Sequence, residues 1–205
     1  EEGYENKIAN LLAKKLGNIP VYYTWYPMTH GFVRRTLRAK LCDLIITFPA
    51  VHEFVQNSNP FYTSSYVLMT LEEKKITVET LSDPIIKDKQ VKFYKQAADT
   101  RHEKPWAVIT EDLRKGDIDI GVIWGPYAGY EAKISKLPIK LIPLIKEEKI
   151  SRGKMVYRFT MGIRKNEPEW EKTINNLIKE NQEEINQILR EYEIPLLDNL
   201  GKPLK

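Results

Sequence analysis

Short apolar runs alternate with amphipathic stretches in the first half of the chain. Apolar residues recur at helical spacing over residues 4–16, which predicts a helix. Two runs rich in β-branched and aromatic residues, 21–26 and 42–48, predict strands, and a second helix begins between them at Phe32. Another strand is predicted over 66–70. The order helix–strand–helix–strand favours a parallel sheet with helices packed on it.

The second half of the chain repeats this alternation and then ends in a long amphipathic stretch. Residues 118–124 form an apolar run typical of a strand buried on both faces in a parallel sheet. The run stops at Trp124-Gly125-Pro126, and ligands of open α/β sheets bind outside the carboxyl ends of such strands. Trp124 is therefore a candidate wall of a cleft. The other predicted elements are strands over 91–95, 139–145 and 155–163, and helices over 105–115, 127–135 and 167–191.

Two segments of the chain resemble each other. Residues 37–46 can be laid on 113–122 without a gap, so that Asp43 falls on Asp119, 76 positions later. The preferred interpretation is two similar α/β lobes facing each other across a cleft, although any two helix–strand units share some likeness. We expect lobe 1 to comprise 1–70 and 160–205, and lobe 2 to comprise 71–159.

Length and composition are those of an ordinary globular protein. The 205 residues leave room for two lobes of about 100 residues each, and 42% of residues are hydrophobic. No apolar run reaches the roughly 18–20 residues that span a bilayer. The net charge of +4 comes from basic residues spread along the chain, which indicates a solvated surface and not a nucleic-acid face. A preference for an acidic partner stays open.

Catalytic and metal-binding patterns are missing from the sequence. His30, His52 and His102 lie in unrelated local contexts, and neither a CxxC pair nor a glycine-rich phosphate loop occurs. The sequence therefore argues against an enzyme, a metal site and a bound cofactor. Cys42, the single cysteine, is either a buried free thiol or the partner of a Cys outside this sequence.

Aromatic residues and prolines gather where the predicted strands end. If the sheets are parallel, these positions share one rim, and a cleft lined by rings would suit an apolar ligand or an inserted side chain of a partner. The candidate residues of this cleft are Trp25, Tyr26, Phe48, Pro49, Tyr62, Trp124, Gly125 and Tyr127.

Short motifs along the whole chain carry a resemblance to a known family. They are GYENKIA from Gly3, WYP from Trp25, GFVR from Gly31, TL from Thr36, CD from Cys42, FPA from Phe48, PFY from Pro60, YV from Tyr66, VIWGP from Val122, AGY from Ala128, MG from Met161 and GKP from Gly201. Together they resemble the J-type proteins (MxaJ/XoxJ) that accompany quinoprotein methanol dehydrogenases. The combination of WGPxAGY with GFVRxTL is fairly specific.

The resemblance implies the α/β fold of a two-lobed type II periplasmic binding protein, with parallel-rich sheets and a cleft between the lobes. It also implies a periplasmic location and a role in assisting or activating a PQQ-dependent methanol or alcohol dehydrogenase. Because the predicted cleft is lined by rings, we expect it to hold a segment of that partner. No catalysis by this chain is implied. Whether a c-type cytochrome also binds is left open.

The alternative function is that of a solute-binding component of an ABC transporter for a small, apolar solute. Amino-acid-binding relatives of this fold hold the ligand carboxylate with an Arg in the loop after the third strand, a natural bidentate partner. The corresponding loop, 49–55, contains no Arg. An amino-acid carrier is therefore disfavoured.

The sequence departs from the family pattern in two places. Members of the family begin with a strand before the Gly-Tyr-Glu-Asn helix, and they carry a strand and a helix after the equivalent of residues 87–90. We expect both pieces to be missing from this sequence. The first strand of the family often holds a Cys, so the resemblance implies a disulfide between Cys42 and a Cys upstream of Glu1.

Overall fold

A computed structural model describes residues 3–27, 31–50, 53–87, 91–94, 106–147, 155–198 and 201–204, without the side chain of Lys87. Its contacts divide the chain into two units, which are described separately. Unit 1 comprises Glu1–Tyr62 and Arg158–Glu191, and unit 2 comprises Thr63–Tyr157 and Tyr192–Lys205.

Unit 1 combines helices at both ends of its sequence with a small antiparallel sheet. Strands β1 and β2 both pair with β6. Ile8, Leu37 and Ile174 are fully buried and represent its core. Its elements are α1 (Tyr4–Lys15), α2 (Phe32–Arg35), β1 (Leu44–Pro49), β2 (Gln56–Asn57), most of β6 (Val156–Ile163), α6 (Pro168–Glu180) and α7 (Gln182–Glu191).

Unit 2 is built on the longest strand, β3 (Tyr62–Leu71), which enters it at Thr63. Two antiparallel neighbours, β4 (Gly121–Trp124) and β5 (Ile139–Pro143), flank β3. Val67, Met69 and Ile123 form its core with residues of α4. Its helices are α3 (Pro84–Lys87), α4 (Ala107–Lys115) and α5 (Gly125–Ser135), and a 3₁₀ turn spans Glu72–Lys74.

The α/β class is confirmed, but the prediction of parallel sheets is wrong for the pairings that the structure describes, all of which are antiparallel. An apolar run reports burial and carries no information on the direction of the neighbouring strand. Nor is β4 buried on both faces, since Val122 is 43% exposed. The sequence pattern therefore predicted the α/β class correctly and the strand directions incorrectly.

The compact units also divide the chain at other points than the predicted lobes. The predicted lobes divide the chain after residues 70 and 159 and keep 192–205 with lobe 1. The compact units divide it after Tyr62, Tyr157 and Glu191. β3 lies almost wholly in unit 2, and the 3₁₀ turn Glu72–Lys74 follows it in the same unit.

Two predicted strands, 21–26 and the described part of 91–95, are irregular in the structure, and their side chains bond to neighbouring elements. In the segment 21–27, the Thr24 hydroxyl donates to the Leu41 carbonyl at 2.5 Å. In the segment 91–94, the Lys92 ammonium and the Tyr94 hydroxyl both donate to Asp112 on α4, each at 2.5 Å. The long helix predicted over 167–191 is divided at Asn181, whose side-chain amide donates to the Leu177 carbonyl and whose φ is −121°.

The internal sequence repeat corresponds to two matching turns, one in each unit. Each turn contains a residue in the left-handed region: Lys40, at φ 58°, lies in the turn that follows α2, and Gly116, at φ 76°, ends α4. These residues are 76 positions apart, as the sequence alignment requires. The matching backbone hydrogen bonds are Lys40 to Leu37 and Leu41 to Thr36 in unit 1, and Gly116 to Leu113 and Asp117 to Asp112 in unit 2.

The matched turns predict that substitutions at their two left-handed residues, Lys40 and Gly116, change the stability of the protein in opposite directions. A side chain with Cβ is strained at positive φ, so Lys40→Gly should raise the free energy of unfolding by roughly 0.5–1 kcal/mol. Gly116→Ala should lower it by about 1 kcal/mol or more. Urea unfolding of both variants measures the two values, and changes of the same sign would contradict the shared geometry.

Candidate functional site

The end of β4 presents a group of half-buried aromatic rings in unit 2. Antiparallel pairing sets Trp124 opposite Tyr66 on β3, and their ring centroids lie 5.3 Å apart in an edge-to-face arrangement. The centroid of the Tyr157 ring lies 5.7 Å from that of Trp124, with the ring planes at 90°, and 6.4 Å from that of Tyr66. We call Tyr66, Trp124 and Tyr157 the aromatic cluster. Rings packed edge to face hold one another in fixed orientations.

The polarity of the aromatic cluster is set by tyrosine hydroxyls. Burial, and then the neighbouring Tyr157, raise the pKa of Tyr66 above its usual value. A phenol whose pKa is raised keeps its proton throughout the neutral range. The cluster therefore offers ring surface together with the uncharged Tyr66 hydroxyl, which suits apolar contact and the occasional hydrogen bond.

Tyr127 lies in the first turn of α5 and is supported from behind. Its ring stacks on Trp106 with centroids 4.3 Å apart and planes within 5°. The Trp106 indole N–H donates at 3.0 Å to the carboxylate of Glu131, which is buried one turn further along α5. The partly exposed Tyr127 ring is thus held on a fixed base.

Gly125 begins α5 and allows this helix to lie close to β3. A Cβ at this position would come within 2.5 Å of the Ser65 carbonyl oxygen, a contact that only a backbone shift could relieve. Gly125 therefore belongs to the site as the residue that places Trp124 and Tyr127, and it provides no side-chain contact itself.

Two of the candidate residues in unit 1 are core residues. Phe48 is 4% exposed and packs with Val33 and Leu37, and Tyr62 is 6% exposed. The Tyr62 ring stacks on Phe159 at 4.9 Å. Side chains this deeply buried leave almost no surface for a ligand, and a hydrophobic residue at a strand end is equally suited to closing the core.

The remaining candidates of unit 1 differ in exposure. Trp25 is 74% exposed and stacks on Tyr23 at 5.9 Å. Tyr26 is half-buried and its hydroxyl accepts a hydrogen bond from Arg35 at 2.8 Å. Pro49, also half-buried, pairs with Phe159 at the end of β1. Trp25 is therefore the ring of this set with most surface to offer.

The structure brings together Trp124, Gly125 and Tyr127 in unit 2, and the other five candidates belong to unit 1. A single cleft lined by both sets stays a prediction. Sequence reasoning missed Tyr66, Tyr157 and Trp106. The antiparallel register would have placed Tyr66 opposite Trp124, whereas no local pattern marks Trp106.

Cys42 is half-buried, and burial is the main cause that raises the pKa of its thiol above the usual value. Its proposed disulfide with an upstream Cys stays a prediction. The three histidines lie outside the described residues. Across the part of the chain that the structure describes, no cluster of three metal-ligating side chains occurs, and no helix is long and apolar enough to cross a membrane.

Comparison with known proteins places the chain in a family, although no protein-family model matches it. The crystal structure of the periplasmic binding protein XoxJ from Methylobacterium extorquens AM1 is 32% identical to it. The match covers 96% of this chain and 91% of that one, with a TM-score of 0.75. The chain belongs to the MxaJ/XoxJ family.

Other members of the MxaJ/XoxJ family agree in fold. MxaJ from Methylophaga aminisulfidivorans gives a TM-score of 0.80 at 20% identity over 96% of this chain and 93% of its own. Protein MoxJ of Methylorubrum extorquens is 25% identical over 95% of this chain and 76% of its own length. Amino-acid-binding proteins of ABC transporters share the fold at 17–18% identity, which shows the fold alone. The type II periplasmic binding fold is therefore confirmed.

Proposed function

We propose that this protein is a periplasmic accessory factor that binds and assists or activates a PQQ-dependent methanol or alcohol dehydrogenase. Membership of the MxaJ/XoxJ family, carried by 32% identity to XoxJ over almost the whole chain, is the observation on which the proposal depends. The partner would contribute a segment that packs against the partly exposed rings at the end of β4, with Trp124 as the main contact. The chain itself would perform no catalysis.

The chemistry of the rings supports a protein segment as the occupant. Apolar burial contributes roughly 25 cal/mol per Å² and does not require matched hydrogen bonds. A polar nutrient requires convergent donors or charges that fix its orientation. The aromatic cluster provides uncharged rings, and the sequence of loop 49–55 contains no Arg to pair with a carboxylate.

The rival function is that of a solute-binding component of a transporter, because amino-acid-binding proteins of ABC transporters share this fold. The two functions differ in what the protein must bind. A transporter component binds a small solute tightly, whereas an accessory factor changes the activity or cofactor content of its dehydrogenase.

Removing the Trp124 ring should weaken the effect on the dehydrogenase. A central aromatic contact in an interface typically contributes about 2 kcal/mol or more, so Trp124→Ala should raise the half-maximal concentration for activation about 30-fold. The measurement is the activity and PQQ content of the dehydrogenase of the same organism, titrated with each variant. Trp124→Phe, which keeps a ring, should recover most of the effect.

Calorimetry supplies the complementary result. Wild-type protein titrated with amino acids, sugars and methanol should show no tight binding. Micromolar or tighter binding of a small polar solute, together with no effect on the dehydrogenase, would establish the transporter function instead.

A further inference from the structure

The turn that follows α2 exposes a group of unpaired positive charges. Val33 and Leu37 anchor this turn in the core of unit 1, Thr36 is buried beside them, and the basic side chains of the turn are exposed. No ion pair joins any of these basic residues to a carboxylate of the described chain. The exposed basic residues are Arg34, Arg35, Arg38 and Lys40.

The matching turn in unit 2 neutralises its own charge. Residues 108–117, the repeat of 32–41, contain two basic and three acidic residues, whereas 32–41 contains four basic and no acidic residues. Arg114 and Lys115 pair with Glu111 at 2.7 and 3.5 Å. Asp112 pairs with Lys92 at 2.5 Å. Two turns of the same backbone geometry therefore differ in charge, and the fold itself does not require the positive charge in unit 1.

Apolar side chains lie beside these charges. Leu41 is 59% exposed and Phe54 is 47% exposed, and the Arg38 guanidinium lies 5.7 Å from the Phe54 ring centroid. The hydrogen bonds from Thr24 to the Leu41 carbonyl and from Arg35 to the Tyr26 hydroxyl join this turn to the segment 21–27. We call the whole area the basic surface, and it comprises Tyr26, Arg34, Arg35, Arg38, Lys40, Leu41 and Phe54.

We infer that the basic surface is a docking site for an acidic protein surface, and that the partner is the dehydrogenase of the proposed function, on which this inference rests. Arg and aromatic residues are enriched in protein interfaces, and uncompensated charge steers a partner of opposite charge. The described carboxylate of Glu53 adjoins Phe54. With four basic residues against this one acid, the net charge of the basic surface is positive.

The geometry favours a protein over the other anionic partners. A nucleic acid would require a longer basic stripe along an element. Peripheral membrane proteins often use an amphipathic helix, and α2, with four residues, is too short to present one. One compact turn with exposed Leu and Phe side chains fits the mixed apolar and charged patch of a protein surface.

The double variant Arg35→Gln/Arg38→Gln tests the inference. Its affinity for the holo-dehydrogenase, measured by biolayer interferometry at 20 mM salt, should fall about tenfold, mainly through a slower association rate. At 300 mM salt the difference from wild type should shrink to about twofold, because salt screens exposed charges. The matched control Arg114→Gln in unit 2 should bind like wild type at both salt concentrations.

The outcomes separate this inference from the proposed function. If wild type and the double variant bind equally well, the docking site is refuted and the proposed function stands. If wild type neither binds nor affects the dehydrogenase, both are refuted. If the substitutions abolish binding to phosphatidylglycerol vesicles or single-stranded DNA and leave dehydrogenase binding unchanged, the surface serves that other partner and the inference is wrong. Since both arginines are exposed, the melting temperature should stay within about 2 °C of wild type and show that the fold is intact.

Discussion

Replacing Gly129 with Ala should lower the free energy of unfolding by about 3 kcal/mol or more. On an isolated helix this substitution would stabilise by about 1 kcal/mol, so the expected sign is reversed by the tertiary structure. A Cβ on Gly129 would lie 2.0 Å from the Glu193 carbonyl oxygen, and only a backbone displacement could relieve the overlap. Because Glu193 leads into the buried residues Ile194, Leu196 and Leu197, their packing would be lost in part.

Hydrogen exchange and urea unfolding together check this expectation. The variant should lose protection first at Leu197, whose N–H donates to the Thr63 carbonyl at 2.9 Å, and at Leu204, which donates to Leu196. Lys133→Ala on the same helix changes an exposed side chain whose ammonium lies 5.8 Å from the Tyr192 ring centroid, and it should cost less than about 1 kcal/mol. Unchanged stability of the Gly129 variant would show that the segment after Glu191 is not held against α5.

Replacing Arg164 with Met should cost about 2–4 kcal/mol of folding free energy. This guanidinium is largely buried and donates four hydrogen bonds, so its removal takes one donor from each of four acceptors. The acceptors are the Glu167 carboxylate at 2.7 Å, the Leu37 and Cys42 carbonyls at 3.1 and 2.6 Å, and the Asp43 carboxylate at 2.7 Å. The loss would loosen the turn after α2 and the start of β1.

Arg190→Met is the matched control for Arg164. Its guanidinium is exposed and pairs with the exposed Glu183 at 2.8 Å, a geometry that contributes less than about 1 kcal/mol. Denaturant midpoints at equal m-values give both numbers directly. Equal effects of the two substitutions would mean that the Arg164 network does not stabilise the native state.

Periodicity predicted the helices well because a helix completes its hydrogen bonds within its own sequence. The stripe over 4–16 became α1, and the repeat of 37–46 in 113–122 became two matching turns. A strand instead makes its backbone hydrogen bonds to another segment, which cannot be identified from the sequence of the strand itself. The run 21–26 has the residues of a strand, yet its side chains bond to other elements and it forms no ladder.

The candidate site was predictable to the extent that local sequence marks it. Trp124 and Tyr127 are candidates because a Gly-Pro turn follows an apolar run, and their role in a site stays a prediction. Tyr66 was missed because its place beside Trp124 follows from antiparallel pairing, which the pattern of burial does not encode. Phe48 and Tyr62 are also candidates because they are aromatic residues at strand ends. Such residues suit the core as well as a cleft, and both are buried in the structure.

The division of the chain between the units has a consequence for synthesis on the ribosome. Unit 1 needs residues 158–191 to complete its sheet and helices, and unit 2 needs the segment after Glu191 to cover α5. Both units therefore stay incomplete until more than nine-tenths of this sequence has been translated. Domains that close early can fold while the rest of the chain is still emerging. In this topology neither unit can close before the late segments that complete it, 158–191 for unit 1 and the residues after Glu191 for unit 2, have been synthesised.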